Sequence, residues 1–519
     1  MILAAGVVLV MIVALSFKVF ELDRYFVPKE LVLNVAALLA GIVLMLGRKP
    51  ARWDALDALL VVFLLWSLIS AVFATNHWLA QRAVALSFSS AIIFWSARLA
   101  AIGNIRRVLL GAASLATVIA ASTSLAQAYG VESQWFTLAR SPGGTLGNRN
   151  FIAHVVAIGL PVTLWCTISA KRSVGALAGT LAVGILAATL VLSRSRAAWL
   201  AVAAFIAISA IPFLVSKKYW KDTTAGGRFA RCLLAAFLGG TIAVIIPNTL
   251  EWNSDSPYLE SARNVVDYSS GSGRGRIAQY QNSLKIVKAD PLFGAGPGNW
   301  AVRYPKFAPA SDKSLAESGM TANLWPSSDW VGFVSERGAV ATVAMLAVFA
   351  TLFFGALRKW RDLGGHDAVL LRLALAATVV STAVVSLFDA VLLLPAPAFL
   401  VWLIVGAAAG ERSAGREILT SACAKAIAVL VALMLVTGVA RSITQVAAMN
   451  AVGTGGRTAG WLAAAKLDPG SYRITQRLAD IYASRGQCSK ARPFVRRALD
   501  LFPGAPPARR TARRCGIRF

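Results

Sequence analysis

Apolar residues run along this chain in long, nearly unbroken stretches, parted by short polar turns. The stretches cover 2–17, 31–47, 55–74, 83–101, 106–128, 149–169, 174–192, 197–215, 232–249, 331–357, 367–389, 391–410 and 419–441. A helix rising 1.5 Å per residue crosses a bilayer in roughly 17–25 residues, so most of these runs are of spanning length. The pattern predicts an all-α polytopic membrane protein with a bundle of about 12–13 transmembrane helices. The first run has no basic residue before it and leads into Phe17, Lys18, Val19 and Phe20 rather than a small-residue cleavage site, so a retained helix is expected. Two polar regions stand apart: a loop over 250–330, and the chain after residue 441. The expected division is a transmembrane unit over 1–441 and a tail over 442–519.

Composition fits this picture, with 57% hydrophobic and only 15% charged residues among 519. Lys and Arg number 52 against 24 Asp and Glu, a formal charge of +28. Nucleic-acid binders carry such charge on solvated faces, which most of this chain lacks, so no nucleic-acid partner is expected. The distribution says more. Alternate loops hold about twenty basic residues, among them Arg98, Arg106, Arg107, Lys171, Arg172, Lys217, Lys218, Arg358 and Arg361. The opposite short loops hold about eight: Lys18, Arg24, Lys29, Arg82, Arg140, Arg149, Arg194 and Arg196. The richer set should face the cytoplasm, which puts the N-terminus inside and both polar regions outside. The five Cys are too few for a disulfide framework, and Cys166, Cys232 and Cys423 lie in apolar runs.

The tail repeats itself at a period of 34. Ala464, Leu467, Asp468 and Pro469 recur as Ala498, Leu501, Phe502 and Pro503, with Asp/Phe the mismatch. That is the tetratricopeptide period. Ala479, Tyr482, Gly486, Ala491, Val495, Ala498 and Pro503 fall where two antiparallel helices need small, aromatic, turn and terminating residues, and Trp461 takes the place of Val495 in the preceding half unit. A helical hairpin is predicted, its open apolar face covered by the membrane unit or by a partner. Cys488 and Cys515 are either a bond pinning the last helix to the repeat or two unpaired thiols. The tail is basic, with twelve Lys and Arg over 471–519 against Asp480 and Asp500, so it should attract anionic polysaccharide or phospholipid headgroups.

Four outward-facing stretches carry candidate chemistry. The first is Arg140, Ser141, Pro142, Gly143, Gly144, Thr145, Leu146, Gly147, Asn148, Arg149, Asn150, a glycine turn leading into a capped helix. The second is Ser193, Arg194, Ser195, Arg196, Ala197, Ala198, Trp199, whose guanidinium forks suit either headgroup anchoring or a diphosphate. In the third, Arg276 and Tyr280 sit on an amphipathic helix that leads into Asp290, Pro291, Leu292, Phe293, Gly294, Ala295, Gly296, Pro297, Gly298, Asn299, Trp300. The fourth is Ser327, Ser328, Asp329, Trp330, followed by Glu336, Arg337 and Gly338.

In this order, on a polytopic chain with one large outer loop, these motifs resemble the O-antigen ligase and O-antigen polymerase superfamily over roughly residues 30–410. The resemblance implies a metal-independent, GT-C-like helical bundle in the bacterial inner membrane, with no cofactor. It would take glycan from an undecaprenyl diphosphate carrier at the periplasmic face and pass it to an acceptor in O-antigen or exopolysaccharide assembly. The acceptor would be lipid A core, another lipid-linked glycan, or a protein hydroxyl. Carried over by motif, Arg194, Arg196, Arg276 and Tyr280 would grip the diphosphate, with Arg140, Arg149 and Asn150 beside them. Gly294, Gly296, Gly298, Glu336 and Gly338 would shape the loop. The family's His-Asn pair, nine residues before the Glu, is absent: Ser327 and Ser328 stand there, and a shifted alignment gives Ala322 and Asn323. Asp329 is the first candidate for the base that deprotonates the acceptor, and His154 the second. The alternatives are a scaffold that binds lipid-linked glycan without transferring it, or a transporter, for which the chain shows neither a helix repeat nor a charged path through the bilayer.

Overall fold

The computed structural model describes residues 1–16, 23–46, 52–136, 140–215, 223–252, 254–265, 267, 271–358, 366–410, 416–417, 421–455 and 457–518. Before the long polar loop come α1 (Ile2–Ile12), α2 (Asp23–Leu46), α3 (Ala55–Val72), α4 (His77–Ala100), α5 (Arg106–Ala128), α6 (Arg149–Ile168), α7 (Ser173–Ser193), α8 (Arg196–Val215) and α9 (Thr223–Ile245). The loop holds α10 (Pro257–Arg263), α11 (Gly271–Ala289) and α12 (Trp300–Arg303). The chain then re-enters the bundle through α13 (Asp329–Arg358), α14 (His366–Phe388), α15 (Pro395–Ala409) and α16 (Ser421–Thr454). The tail adds α17 (Arg457–Leu467), α18 (Tyr472–Ser484), α19 (Cys488–Leu501) and α20 (Pro506–Arg514).

Each predicted apolar run contains a helix, although the first is helical only over Ile2–Ile12 and the run 391–410 only from Pro395. Ten helices among the described residues are long and apolar enough to cross a membrane, and three apolar helices are shorter: α1, Arg196–Ala210 of α8, and α15. The protein is a multi-pass, all-helical membrane protein; β structure among the described residues is confined to two-residue strands, β1 (Arg52–Trp53) paired antiparallel with β2 (Arg416–Glu417), and an isolated bridge between Leu315 and Thr321. Part of the charge pattern, including Lys18, Arg48, Lys49, Lys217, Lys218, Lys221, Lys359, Arg361 and Arg412, lies outside the described residues, as does the side chain of Cys423.

Polar side chains set the helix starts. Asp54 and Asp57 form a reciprocal capping box on α3, each carboxylate accepting the other's backbone N–H (3.1 and 3.0 Å), and Asn76 caps α4 through Leu79 N. Arg98, buried at the far end of α4, pairs with both of these acids. Helices α6 and α15 are buried at the centre of the bundle, whereas α9 exposes Leu233, Phe237, Leu238 and Ile245 as a lipid-facing side chain set should. Where α7 crosses α9, a Cβ on Gly239 would lie 2.2 Å from the Gly184 carbonyl, so only glycine allows this approach.

One boundary differs from expectation. Helix α16 continues without a break through residue 441 to Thr454, so the tail is carried on a rigid extension of a spanning helix. Helices α18 and α19 pack as a hairpin around Ala479, Ala483, Ala491, Val495 and Ala498, with Gly486 at φ +72° in the turn. The apolar face of this unit meets Val302, Leu79 and Met320, and Val27, Ala448 and Met449 cover α17 and α18, so the bundle and its loop supply the cover. Cys488 and Cys515 are joined in a disulfide, with Cα atoms 5.3 Å apart.

Candidate functional site

A tight reversal between α7 and α8 begins the site. Arg194 takes φ +52°, a left-handed conformation uncommon for a residue with a Cβ, and α8 starts two residues later at Arg196. Beside this turn, Asn148 caps α6 by accepting from Asn150 N (3.0 Å), which places Arg149 and Asn150 on the first turn of that helix. From the polar loop, α10 brings Glu260 and Ser261, and α11 brings Arg276. Together these residues line a cavity of about 360 Å³. Its lining holds four arginines, Arg149, Arg194, Arg196 and Arg276, against one carboxylate, Glu260. The N-termini of α6 and α8 add the positive ends of two helix dipoles.

The arginines are held in place. Arg194 Nε donates to Ser261 Oγ (2.8 Å) and its guanidinium lies 3.7 Å from Glu260. Arg196 Nη1 donates to the carbonyls of Asn264 (2.6 Å) and Asp267 (3.1 Å). Trp252 is flanked by two guanidiniums, Arg149 at 4.9 Å and Arg194 at 4.6 Å from its ring centre. Partial burial lowers the pKa of Arg194, with Glu260 opposing that shift. Held cations that outnumber nearby anions are suited to a ligand with several negative oxygens, such as a diphosphate.

A carboxylate that the motifs did not single out completes the constellation. Asp389, in the turn after α14, accepts a hydrogen bond from the Asn150 side chain and lies within electrostatic reach of Arg276 and Arg140. Burial pushes its carboxyl above the ordinary 3.8, and the two arginines pull against that shift. Tyr280 serves this arrangement from behind: its hydroxyl reaches the carbonyls of Ser327 (2.7 Å) and Leu387 (2.6 Å), tying the helix that carries Arg276 to the end of α14. Tyr280, Arg140 and Asp389 do not line the cavity itself; Asp389 reaches it through Asn150 and Arg276, which do.

The two expected bases sit differently. Asp329 is fully buried, and its carboxylate is saturated by Ser386 Oγ (2.6 Å) and by the backbone N–H groups of Val391, Leu392 and Leu393 (2.9–3.1 Å). With its lone pairs engaged it is poorly placed to accept a substrate proton; it clamps the turn that carries Asp389. His154 lies one turn into α6 from Asn150, 1% exposed, with no hydrogen-bond partner at Nδ1.

The glycine-rich loop has a separate task. Gly294, Gly296 and Gly298 take φ +67°, +91° and +70°, and the loop wraps around a kink in α13 at Gly338 (φ +75°). A Cβ on Gly338 would stand 2.0 Å from the Leu292 carbonyl. The N–H groups of Ala295 and Gly296 reach the carbonyls of Ser335 and Glu336, and the Glu336 carboxylate accepts from Gly298 N (2.9 Å) and Trp300 N (3.3 Å). Arg337, 1% exposed, lies 3.5 Å from Glu336 and against the rings of Phe63 and Phe333. This clasp fixes the loop to the bundle, and Gly298, Glu336 and Arg337 also line a small cavity of about 70 Å³. Among the described residues no group of three or more His, Cys, Asp or Glu comes together to hold a metal.

Trp252, Glu260, Ser261 and Asn264 escaped the motif reading because nothing local marks them. Asp389 did leave a signal, as a lone acid at the end of the apolar run 367–389, where an ionisable group near a bilayer is costly and usually functional.

The fold is that of a polytopic helical membrane protein with an arginine-rich cavity where the α7–α8 turn meets the polar loop. Residues 181–346 match the family described as O-antigen ligase. The matched segment contains the α7–α8 turn, the whole polar loop and the clasp, and it supports a glycosyltransferase-like role in polysaccharide assembly. No curated protein matches the chain.

Proposed function

We propose that the protein transfers glycan from an undecaprenyl-diphosphate-linked donor to an acceptor hydroxyl at the periplasmic face of the inner membrane. The four-arginine cavity beside Asp389 carries this reading. The acceptor oxygen attacks the anomeric carbon, the C–O bond to the diphosphate breaks, and the lipid diphosphate leaves with the bonding pair. Arg194, Arg196, Arg276 and Arg149 take up the charge that develops on the leaving group. Asp389 is the base that receives the acceptor's proton, held by Asn150 and aligned by the turn that Asp329 clamps; His154 is the second candidate.

The face assignment rests on the positive-inside pattern and on the disulfide, which persists in an oxidising compartment such as the periplasm. The N-terminus is then cytoplasmic, and the transmembrane unit, the loop and the tetratricopeptide-like tail divide near α16. Purified protein with lipid-linked glycan tests the reading. A ladder of longer lipid-linked chains means polymerase, transfer to lipid A core means ligase, and transfer to a protein hydroxyl means oligosaccharyltransferase. Donor binding with no transfer to any acceptor overturns the proposal in favour of a scaffold.

A further inference from the structure

Between the tail and the bundle lies a second cavity, of about 440 Å³, that shares no lining residue with the arginine pocket. Its size is in the range of small-molecule sites, roughly 300–1,000 Å³. Arg441 lines it from α16. This side chain is 5% exposed, its guanidinium carbon lies 3.9 Å from the centre of the Trp78 ring, and none of its three nitrogens has a hydrogen-bond partner. A buried guanidinium left without acceptors is costly, and most structures avoid it.

Asp468 and Glu30 lie within electrostatic reach of Arg441, yet no acid hydrogen-bonds it. Asp468 accepts from Trp78 Nε1, Asp23 pairs with Arg473 at 3.1 Å, and Asp480 accepts from Gln476 Nε2 (2.9 Å) and Thr511 Oγ1 (2.7 Å). The same cavity presents acceptors without donors: the Oε1 atoms of Gln445 and Gln476 are buried and unpaired. A ligand that satisfies this set must bring an anionic or strongly accepting group to Arg441 and hydroxyl donors to the two glutamines. Inorganic phosphate offers the first in full and little of the second, whereas a sugar acid offers both. Tyr472 and Phe502, also at the cavity, supply apolar ring surface of the kind on which a sugar face can lie.

We propose that this cavity binds a saccharide unit carrying a carboxylate, giving the protein a grip on anionic polysaccharide away from the pocket where transfer is proposed. The binding claim stands whether or not the transfer reading holds. Isothermal titration of the purified full-length protein with tetragalacturonate tests it, with neutral maltotetraose as comparison. Saturable binding of the acidic probe is expected, with maltotetraose markedly weaker. Arg441→Gln should weaken it by about tenfold, as loss of a charge-assisted hydrogen bond does. Arg194→Ala, which disables the other pocket, should leave it unchanged. If Arg441→Gln lowers the melting temperature, Gln445→Leu provides the same test and should weaken binding several-fold. Absence of saturable binding, or affinity unchanged in both cavity variants, overturns the proposal. Displacement of the probe by phosphatidylglycerol vesicles with the same Arg441 dependence assigns the cavity to a lipid headgroup instead.

Discussion

Two arginine-bearing regions lie at the same end of the bundle and read alike in sequence, each pairing Arg with nearby Gly, Asn or Ser. In the clasp, Arg337 lies against Glu336, Phe63 and Phe333, Gly294 and Gly296 donate to backbone carbonyls, and Gly298 donates to the Glu336 carboxylate. In the pocket, Arg194 and Arg196 bond to Ser261 and to loop carbonyls, Arg149 and Arg194 flank the Trp252 ring, and with Arg276 they line a cavity that has one carboxylate in its lining. The clasp has consumed its charge in folding. The pocket lines a cavity with four guanidiniums and one carboxylate. An arginine motif near a membrane surface therefore says little until its surroundings are known: a buried pair stabilises one geometry, and cations that line a cavity can meet a ligand.

The comparison can be broken experimentally. The largest effect is expected from Asp389→Asn, which should lower transfer by about 10²–10⁴ while leaving the melting temperature in place. The base acts deprotonated, so wild-type transfer should be present above the folded pKa of Asp389 and be lost as pH falls through it. Because burial raises that pKa, the midpoint should lie above 3.8. Retained transfer in Asp389→Asn, with loss in His154→Gln, would move the base to α6. Next, Arg196→Ala or Arg276→Ala should each reduce transfer by about 10²–10³ with little change in thermal stability.

The clasp should respond in the opposite sense. Glu336→Gln strands the buried Arg337 and should cost about 3 kcal/mol, read as a lower melting temperature and a loss of folded yield. A variant that kept wild-type stability but lost transfer would place Glu336 in the chemistry. The smallest effect belongs to neither region. Reducing the Cys488–Cys515 bond, which spans a sequence separation of 27, should loosen the tail by about 2 kcal/mol, seen as faster proteolysis beyond residue 454, and should leave Arg196-dependent transfer intact.

The helices were legible in the sequence because apolar runs of spanning length have few alternatives in a bilayer, where every backbone polar group must be satisfied within its own segment. Caps such as Asn148 and the glycine turns were legible for the same local reason. The arginines were found by motif, but what distinguishes Arg196 from Arg337 is the set of atoms around each, which comes from remote segments. Asp329 shows the limit most clearly. By position it looked like a base, yet the backbone of Val391, Leu392 and Leu393, sixty residues on, turns out to occupy its carboxylate.

The sequence by itself determined an all-helical membrane bundle, the positions of its turns, a helical-hairpin tail and a charge asymmetry between alternate loops, since each depends on the local polarity of contiguous residues. Only the tertiary structure decided which cations line a common cavity, that Asp389 joins Arg276 and Asn150, and that Arg441 is buried without hydrogen-bond partners where the tail meets the bundle. Those facts depend on contacts between positions such as 150, 276 and 389, or 78 and 441, and no local pattern encodes the distance between them.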